Sequence, residues 1–354
     1  MKEPASRLMD VSDLLLPDLG WTAFFAGQVT ADEAAHLQPV RVMAVHRGEV
    51  VVAGEGLWRQ ISSRLPVAEG EEDRATVGDW LLIDPETLEP RRLLARANLF
   101  KRRAPGDDRR LQLIAANVDT LFVVTSCNQD FSVARLERYL VLAGEVGVRP
   151  VVVLTKIDLT DRLDDYRAAA QGLRPGLQVE AVNARDPASV ARLATCCPAG
   201  ETVALLGSSG VGKSTLVNTL RGSDSIATQA VREADGKGRH TTTVREMHRL
   251  AQGGWLMDTP GMREFQLSEA ATGIAEVFDD IAALALDCRF TNCTHGAEPG
   301  CAIQAALAQG DVGTDRLERW RKLSAEENEN TGAMTARRTR ASRPKARKKE
   351  ASDG

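Results

Sequence analysis

The stretch TVALLGSSGVGKSTLVNTL, residues 202–220, read together with PVVVLTKID, residues 150–158, decides the fold. Each opens with an apolar run of strand length that ends abruptly in glycine or charged residues. Helical spacing follows, and this alternation is the rhythm of an open α/β sheet with parallel strands. Gly207–Thr215 fits the phosphate-loop pattern G-x-x-x-x-G-K-[ST], with the strand before it and the helix after it that the pattern needs. In that pattern Gly207, Ser208, Ser209, Gly210, Val211 and Gly212 turn backbone N–H groups inward around phosphates. Lys213 reaches the β- and γ-phosphates, and Ser214, followed by Thr215, offers its hydroxyl to Mg²⁺.

The second stretch points to the base. Thr155–Asp158 ends a buried strand, at the edge where open α/β sheets bind ligands. Asp158 can accept hydrogen bonds from the ring N–H and the exocyclic amino group of guanine, a pair of donors that adenine lacks. The aliphatic stem of Lys156 can lie along the base plane. Thr155 stands where most GTPases hold Asn and supplies only a hydroxyl. The next strand-like run, LQVEAV, leads to Asn183, Ala184 and Arg185, where the backbone is expected to touch the guanine. The guanine reader thus precedes the phosphate loop, the reverse of the usual order.

Two polar segments between and after these motifs read as switches. Asp258–Gly261, DTPG, ends the run GWLMD; Asp258 is expected to hold Mg²⁺ through water and the Gly261 N–H to sense the γ-phosphate. Upstream lies DGKGRHTTT, in which Thr242, of the triplet Thr241–Thr243, is the preferred further Mg²⁺ ligand. Met262 occupies the place where many GTPases keep the glutamine that orients the attacking water, and a thioether cannot orient water. His240 is the candidate for that task, with Lys213 and Thr242 as the other catalytic residues. Slow intrinsic hydrolysis, accelerated by a partner, is the expected consequence.

Cys288, Cys293, His295 and Cys301 follow the spacing C-x4-C-x-H-x5-C. Three sulfurs and one imidazole with no open position fit a closed structural Zn²⁺ site. Cys127, Cys196 and Cys197 lie elsewhere and read as packing residues.

The rest of the chain bounds these readings. With 354 residues, 43% of them hydrophobic, there is material for several packed domains. No leader and no apolar run of membrane-spanning length is evident, so a cytoplasmic protein with no membrane partner is expected. The formal net charge of −4 argues against a general nucleic-acid binder. Basic residues nonetheless concentrate in two places, Arg91–Arg110 and Ala333–Gly354, which suggests local contact with phosphate-rich partners. Short strand-like runs between Val40 and Arg96 predict a five-stranded barrel, OB-type by preference, although an SH3-like barrel would read similarly. The expected division is an N-terminal extension at 1–37, a barrel at 38–105 and a GTPase domain at 110–270. A helical zinc domain at 271–330 and a disordered basic tail at 331–354 complete it. Within the extension, Leu14, Leu15 and Trp21 are apolar enough to dock on a neighbour.

In motif order the sequence resembles the ribosome small-subunit-dependent GTPase A family, the circularly permuted GTPases. The likeness runs over roughly residues 38–325, through VGDW, IAANVDTLFVV, TKIDL, GSSGVGKST, GRHTTT, DTPGMREF and the Cys/His knot ending in EPGC. The resemblance implies an OB domain, a permuted GTPase domain and a zinc domain, with GTP as substrate and GDP as product. It also implies binding to the small ribosomal subunit and its rRNA near the decoding region during late maturation, with release set by the nucleotide. A monomer with no DNA partner is expected. Two other readings share the phosphate loop: an ATPase or nucleotide kinase, and a nucleotide-gated RNA-binding scaffold in which hydrolysis is incidental.

Overall fold

The computed structural model describes residues 14–66, 70–103, 111–222, 245–258 and 270–341, and divides into two units, Met1–Phe265 and Gln266–Gly354. The first unit opens with two helical turns, α1 (Ala23–Ala26) and α2 (Ala31–His36). Five antiparallel strands follow: β1 (Gln38–Val45), β2 (Glu49–Gly54), β3 (Leu57–Ser62), β4 (Trp80–Ile83) and β5 (Pro90–Leu93). Their pairing order is β3-β2-β1-β4-β5. Strand β1 serves two partners by dividing its length, Gln38–Arg41 against β4 and Arg41–Val45 against β2. A core of Val40, Val42, Val50, Val52, Leu81 and Ile83 is thereby removed from water. All five strands match runs expected from the sequence.

A two-stranded ribbon, β6 (Leu99–Arg103) with β7 (Leu111–Ala116), leads into the α/β part. That part contains β8 (Thr120–Ser126), α3 (Val133–Val146), β9 (Arg149–Thr155), α4 (Leu163–Gln171), β10 (Gln178–Ala181) and α5 (Pro187–Val190). It continues with β11 (Thr202–Leu206), α6 (Lys213–Arg221), β12 (Arg245–Arg249) and β13 (Trp255–Asp258). Strand order is β10-β9-β8-β11-β13-β12, parallel except for β12. Alternate residues Phe122, Val124, Val151, Val153 and Val203 share a core cluster with Leu216, Val217 and Leu220 of α6. Helix α3 is set by its ends: Ser132 caps it by accepting from the Arg135 N–H, and Gly147 stops it in the left-handed conformation, φ 75°. These elements form the parallel sheet expected from the sequence. Strand β12 and the ribbon were not legible there, because REMHR buries only Met247 and the ribbon is rich in charge.

Strand β12 also pairs with β1, Ala44 opposite Glu246 and Val45 opposite Arg245. The α/β sheet and the five-stranded region are therefore one continuous sheet of eleven strands. The N-terminal segment packs against the middle of this sheet, and Trp255 Nε1 of β13 donates to the Asp18 carbonyl at 2.7 Å. Leu14, Leu19 and Phe25 are buried, and the Trp21 ring meets Trp80 edge-on at 4.7 Å. Leu15, expected to dock with them, is 57% exposed. Arg41 lies under this segment, 2% exposed. Its guanidinium donates to the Leu19 and Asn117 carbonyls and to Thr202 Oγ1 at 2.8 Å. Nearby, Arg96 holds the buried Asp79 carboxylate through two bonds of 2.7 and 2.8 Å.

The second unit has four helices among its described residues: α7 (Ala271–Val277), α8 (Asp279–Leu286), α9 (Ala302–Gln309) and α10 (Thr314–Ala341). Arg316 of α10 joins them, donating to both Asp280 oxygens at 2.8 Å and to the Val277 carbonyl, with its guanidinium over the Phe278 ring. Helix α10 extends to Ala341, eleven residues into the stretch expected to be disordered. Its TGAMTARRTRA run contains Ala, Met and Arg, strong helix formers that need no core to favour the helix. Residues 342–354 of the expected tail lie outside the described residues.

Candidate functional site

Three loops at the C-terminal ends of β9, β10 and β11 bring the sequence-identified groups to one edge of the sheet. The phosphate loop leaves β11 at Gly207, where a Cβ would stand 2.3 Å from the Val124 carbonyl oxygen, so only glycine fits against β8. Gly212, φ 97°, is the N-cap of α6 and provides no side-chain cap. The first N–H groups of the helix therefore face the loop without a side-chain acceptor from its cap, the arrangement that receives anions. Val211 is buried in the core and fixes the loop from beneath. Ser208, Ser214 and Thr215 are half-buried, and Ser209 and Gly210 are exposed. Lys213 Nζ, one residue into the helix region, donates to the Gly207 carbonyl at 2.6 Å and to that of Ser208.

Thr155 resolves the oddity of the second motif. It is fully buried, and its hydroxyl lies 2.6 Å from the Val211 carbonyl and 3.1 Å from the Thr125 carbonyl. A hydroxyl has one proton to give, and the shorter contact ties the loop after β9 to the loop after β11. Lys156 then turns into the left-handed region, φ 57°, and starts a 3-10 turn at Ile157–Leu159. That sharp turn leaves Lys156 half-buried and Asp158 exposed. Asn183 orders the third loop, accepting from the Arg185 N–H at 3.0 Å while its own N–H donates to Ser189 Oγ. Thr219 of α6 donates to the Ala184 carbonyl at 2.7 Å. Thr219 was not singled out in the sequence; inside TLVNTL it looks like any helical residue.

Asp258 ends β13 with its backbone opposite Glu246. His240, Thr242, Gly261 and Met262 lie outside the described residues.

In the second unit, Cys288, Cys293, His295 and Cys301 converge so that their ligand atoms all lie within 4.8 Å of one another. Cys288 Sγ is 3.5 Å from His295 Nδ1, and Cys301 Sγ is 3.9 Å from Cys288 Sγ and 3.8 Å from His295 Nδ1. Tetrahedral Zn²⁺ with ordinary bond lengths would separate sulfurs by roughly 3.8 Å and sulfur from nitrogen by roughly 3.5 Å, so the donor set fits zinc. Its electrostatics agree. Burial raises the Cys288 thiol, but hydrogen bonds from the Ala302 and Ile303 N–H groups at the start of α9, together with those from Cys293 and Cys301, hold it below its usual value. Burial, with the neighbouring sulfurs, pushes Cys293 up to about 11. Three thiols this close cannot all ionise without a cation among them. His295 is held at φ 58°, its ring edge-on to Trp320 and its carbonyl accepting from Gln304 Nε2 at 2.8 Å. Glu298, also missed in the sequence, braces the loop by accepting from the Thr294 hydroxyl and from the Thr294 and Gly296 N–H groups. Purified protein should contain about one zinc per chain, and a strong chelator should abolish protection of the second unit's amides while sparing the first. Zinc-free protein with unchanged exchange there would remove the metal from this account.

Among the described residues no helix is long and apolar enough to cross a membrane. Comparison with known proteins agrees with the geometry. The sequence profile of the RsgA GTPase family matches residues 93–268. A Mesorhizobium japonicum protein named small ribosomal subunit biogenesis GTPase RsgA is 48% identical, over 95% of this chain and 96% of its own length. A Vibrio parahaemolyticus protein, small ribosomal subunit biogenesis GTPase RsgA 2, is 45% identical over 91% of this chain and 88% of its own length. Two solved structures share the fold. YjeQ from Thermotoga maritima has a TM-score of 0.60 at 23% identity, covering 82% of this chain and 98% of its own. YloQ, described as a circularly permuted GTPase, has a TM-score of 0.57 at 22% identity, covering 88% of this chain and 98% of its own.

Proposed function

Because the chain belongs to the RsgA GTPase family and is a GTP hydrolase of permuted fold, we propose that it acts in late maturation of the small ribosomal subunit. In this reading the small subunit stimulates hydrolysis, and the nucleotide state sets binding to and release from the subunit and its rRNA. What carries this reading is the 48% identity, over 95% of the chain, to a protein named for small-subunit biogenesis; the Thr155–Val211 contact, which joins the TKID loop to the phosphate loop, supports its nucleotide-binding part.

The residues have defined tasks. Asp158 selects guanine, Lys156 covers the base, and Asn183 orders the loop against it. Gly207–Thr215 holds the phosphates through backbone N–H groups, with Lys213 swinging from its carbonyl partners to the β- and γ-oxygens. Mg²⁺, when bound, neutralises charge developing on the phosphates; Ser214 and Thr242 would hold it, with Asp258 acting through water. His240 would orient the attacking water, and Gly261 would report the γ-phosphate. The five antiparallel strands act as an OB-type barrel that presents exposed basic side chains, such as Arg59 on β3 and Arg64 just after it, to rRNA. The zinc holds the second unit's fold, and the protein acts as a monomer in the cytoplasm.

The decisive assay measures GTP turnover with and without purified small subunits, using Lys213→Ala as the blank. Stimulation of roughly tenfold or more is expected, since partners that complete a GTPase site supply large factors. Equal turnover with and without subunits would overturn the reading.

A further inference from the structure

We propose that Thr219 of α6 is a positioning residue for guanine recognition. Its hydroxyl holds the Asn183–Arg185 loop at a fixed place relative to the phosphate loop, so that the Ala184 N–H meets the guanine carbonyl oxygen. This rests on the reading above that the loop lies against the base.

The loop takes its shape from its own residues. The Asn183 N–H donates to Ser189 Oγ at 3.0 Å, the Asn183 carbonyl accepts from the Asp186 N–H, and Asn183 Oδ1 accepts from the Arg185 N–H. Asp186 then caps α5 by accepting from the Ala188 N–H, and Pro187 opens that helix. All these bonds fall within Asn183–Ser189, so they fix the form of the loop and leave its position to contacts with other elements. One such contact is the Val182 N–H, which donates to the Leu154 carbonyl at 2.8 Å and ties the loop to β9. The other is Thr219, whose hydroxyl donates to the Ala184 carbonyl at 2.7 Å and ties the loop to the helix that begins at Lys213.

Thr219 is placed for this task. It stands six residues beyond Lys213, about 9 Å along the helix axis. It is half-buried, while Leu216, Val217 and Leu220 around it share a core cluster with Ala184. The same hydroxyl lies 3.1 Å from the Thr215 carbonyl one turn back, the bond open to any helical threonine. With one proton and two acceptors, the shorter contact takes it. The Ala184–Arg185 peptide is therefore held at both ends, its carbonyl by Thr219 and its N–H by Asn183 Oδ1. The peptide before it is planar and has its carbonyl bound to the Asp186 N–H, so the Ala184 N–H points the opposite way in a fixed direction. Guanine offers such a donor its carbonyl oxygen, where adenine carries an amino group. Residue 155 leaves this tie to be made elsewhere. An asparagine amide would bring two protons, but Thr155 has one and the Val211 carbonyl receives it. The two base-side loops are thus joined to the phosphate loop and its helix separately, by one threonine hydroxyl each.

The test uses the full chain with Thr219→Val, which keeps the side-chain shape and removes the hydroxyl, and Thr219→Ser, which keeps the hydroxyl. Dissociation constants are measured for GDP, IDP and 6-thio-GDP. IDP lacks the 2-amino group but keeps the carbonyl oxygen. The third nucleotide keeps the amino group and replaces that oxygen by sulfur, a weak acceptor. Thr219→Val should weaken GDP and IDP alike, by about fivefold, the scale of one hydrogen bond, and 6-thio-GDP by less than about twofold. Thr219→Ser should bind GDP within about twofold of the wild type. A merely structural role would weaken all three nucleotides to the same degree, and that result would overturn the proposal, as would unchanged GDP affinity in Thr219→Val. The wild type judges the underlying reading by itself. If it binds GDP and 6-thio-GDP equally, the loop does not meet the guanine carbonyl, and the proposal falls with that reading. Weaker binding of 6-thio-GDP by the wild type, with Thr219→Val unaffected for GDP, overturns the proposal alone.

Discussion

Asp158→Asn is expected to lower affinity for GDP and GTP by roughly 10³-fold or more and to transfer preference to xanthine nucleotides. In the proposed site the carboxylate would accept from both the N1 proton and the 2-amino group of guanine. An amide keeps one acceptor and presents an NH₂ where the base also presents one, so a charge-assisted bond is replaced by two opposed donors. Xanthine carries a carbonyl at that position and receives the new donor. Because Asp158 is exposed on a short turn, the substitution removes no core contact, and the protein should melt as the wild type does. Competition binding with GDP, XDP and ADP reads the result directly. A variant that retains GDP affinity within a few-fold would remove Asp158 from base recognition.

The second large effect concerns stability. Arg41→Ala should cost about 3–5 kcal/mol, the range for breaking a buried, hydrogen-bonded charge. Burial holds the Arg41 pKa down to about 10, so the group is still charged at neutral pH. Truncation strands the Leu19 and Asn117 carbonyls and Thr202 Oγ1, and removes the positive neighbour of Asp79 and Asp119. Burial already raises both carboxyls in the folded state, and Arg41 opposes that rise. The sign of the pH dependence follows. Above the raised carboxyl range the wild type benefits from the Arg41 attraction and the variant does not. As pH falls through that range the carboxyls neutralise and the deficit narrows. Arg41→Met, which keeps the stem against Trp80, should cost less than Arg41→Ala. Denaturant melts at pH 5 and pH 8 test this, and a deficit that widens in acid would contradict it.

Much of the site was legible because its chemistry is local. A phosphate loop is a strand, a turn and a helix in sequence, and the C-x4-C-x-H-x5-C knot spans only fourteen residues. The bonds that assemble the site were not legible, since Thr155 reaches Val211 across 56 residues and Thr219 reaches Ala184 across 35. Read alone, Thr155 looked like a weakened asparagine; in the fold its hydroxyl makes the bridge between loops. Arg41 was hidden for a different reason. It falls among Val40, Val42 and Met43 in a strand, and only the partners at Leu19, Asn117 and Thr202 show why a charge stands there.

Strand β12 has a consequence for the nascent chain. β1 is synthesised early, but Arg245 and Glu246, which cover its end, are made about 200 residues later. At roughly 5–20 residues per second the ribosome leaves that edge open for about 10–40 s. An unpaired strand edge is a template for wrong partners, so this protein is exposed to aggregation during its own translation. Slower elongation, or starvation for a tRNA needed between residues 46 and 245, should lower its soluble yield more than that of a protein whose sheets close locally.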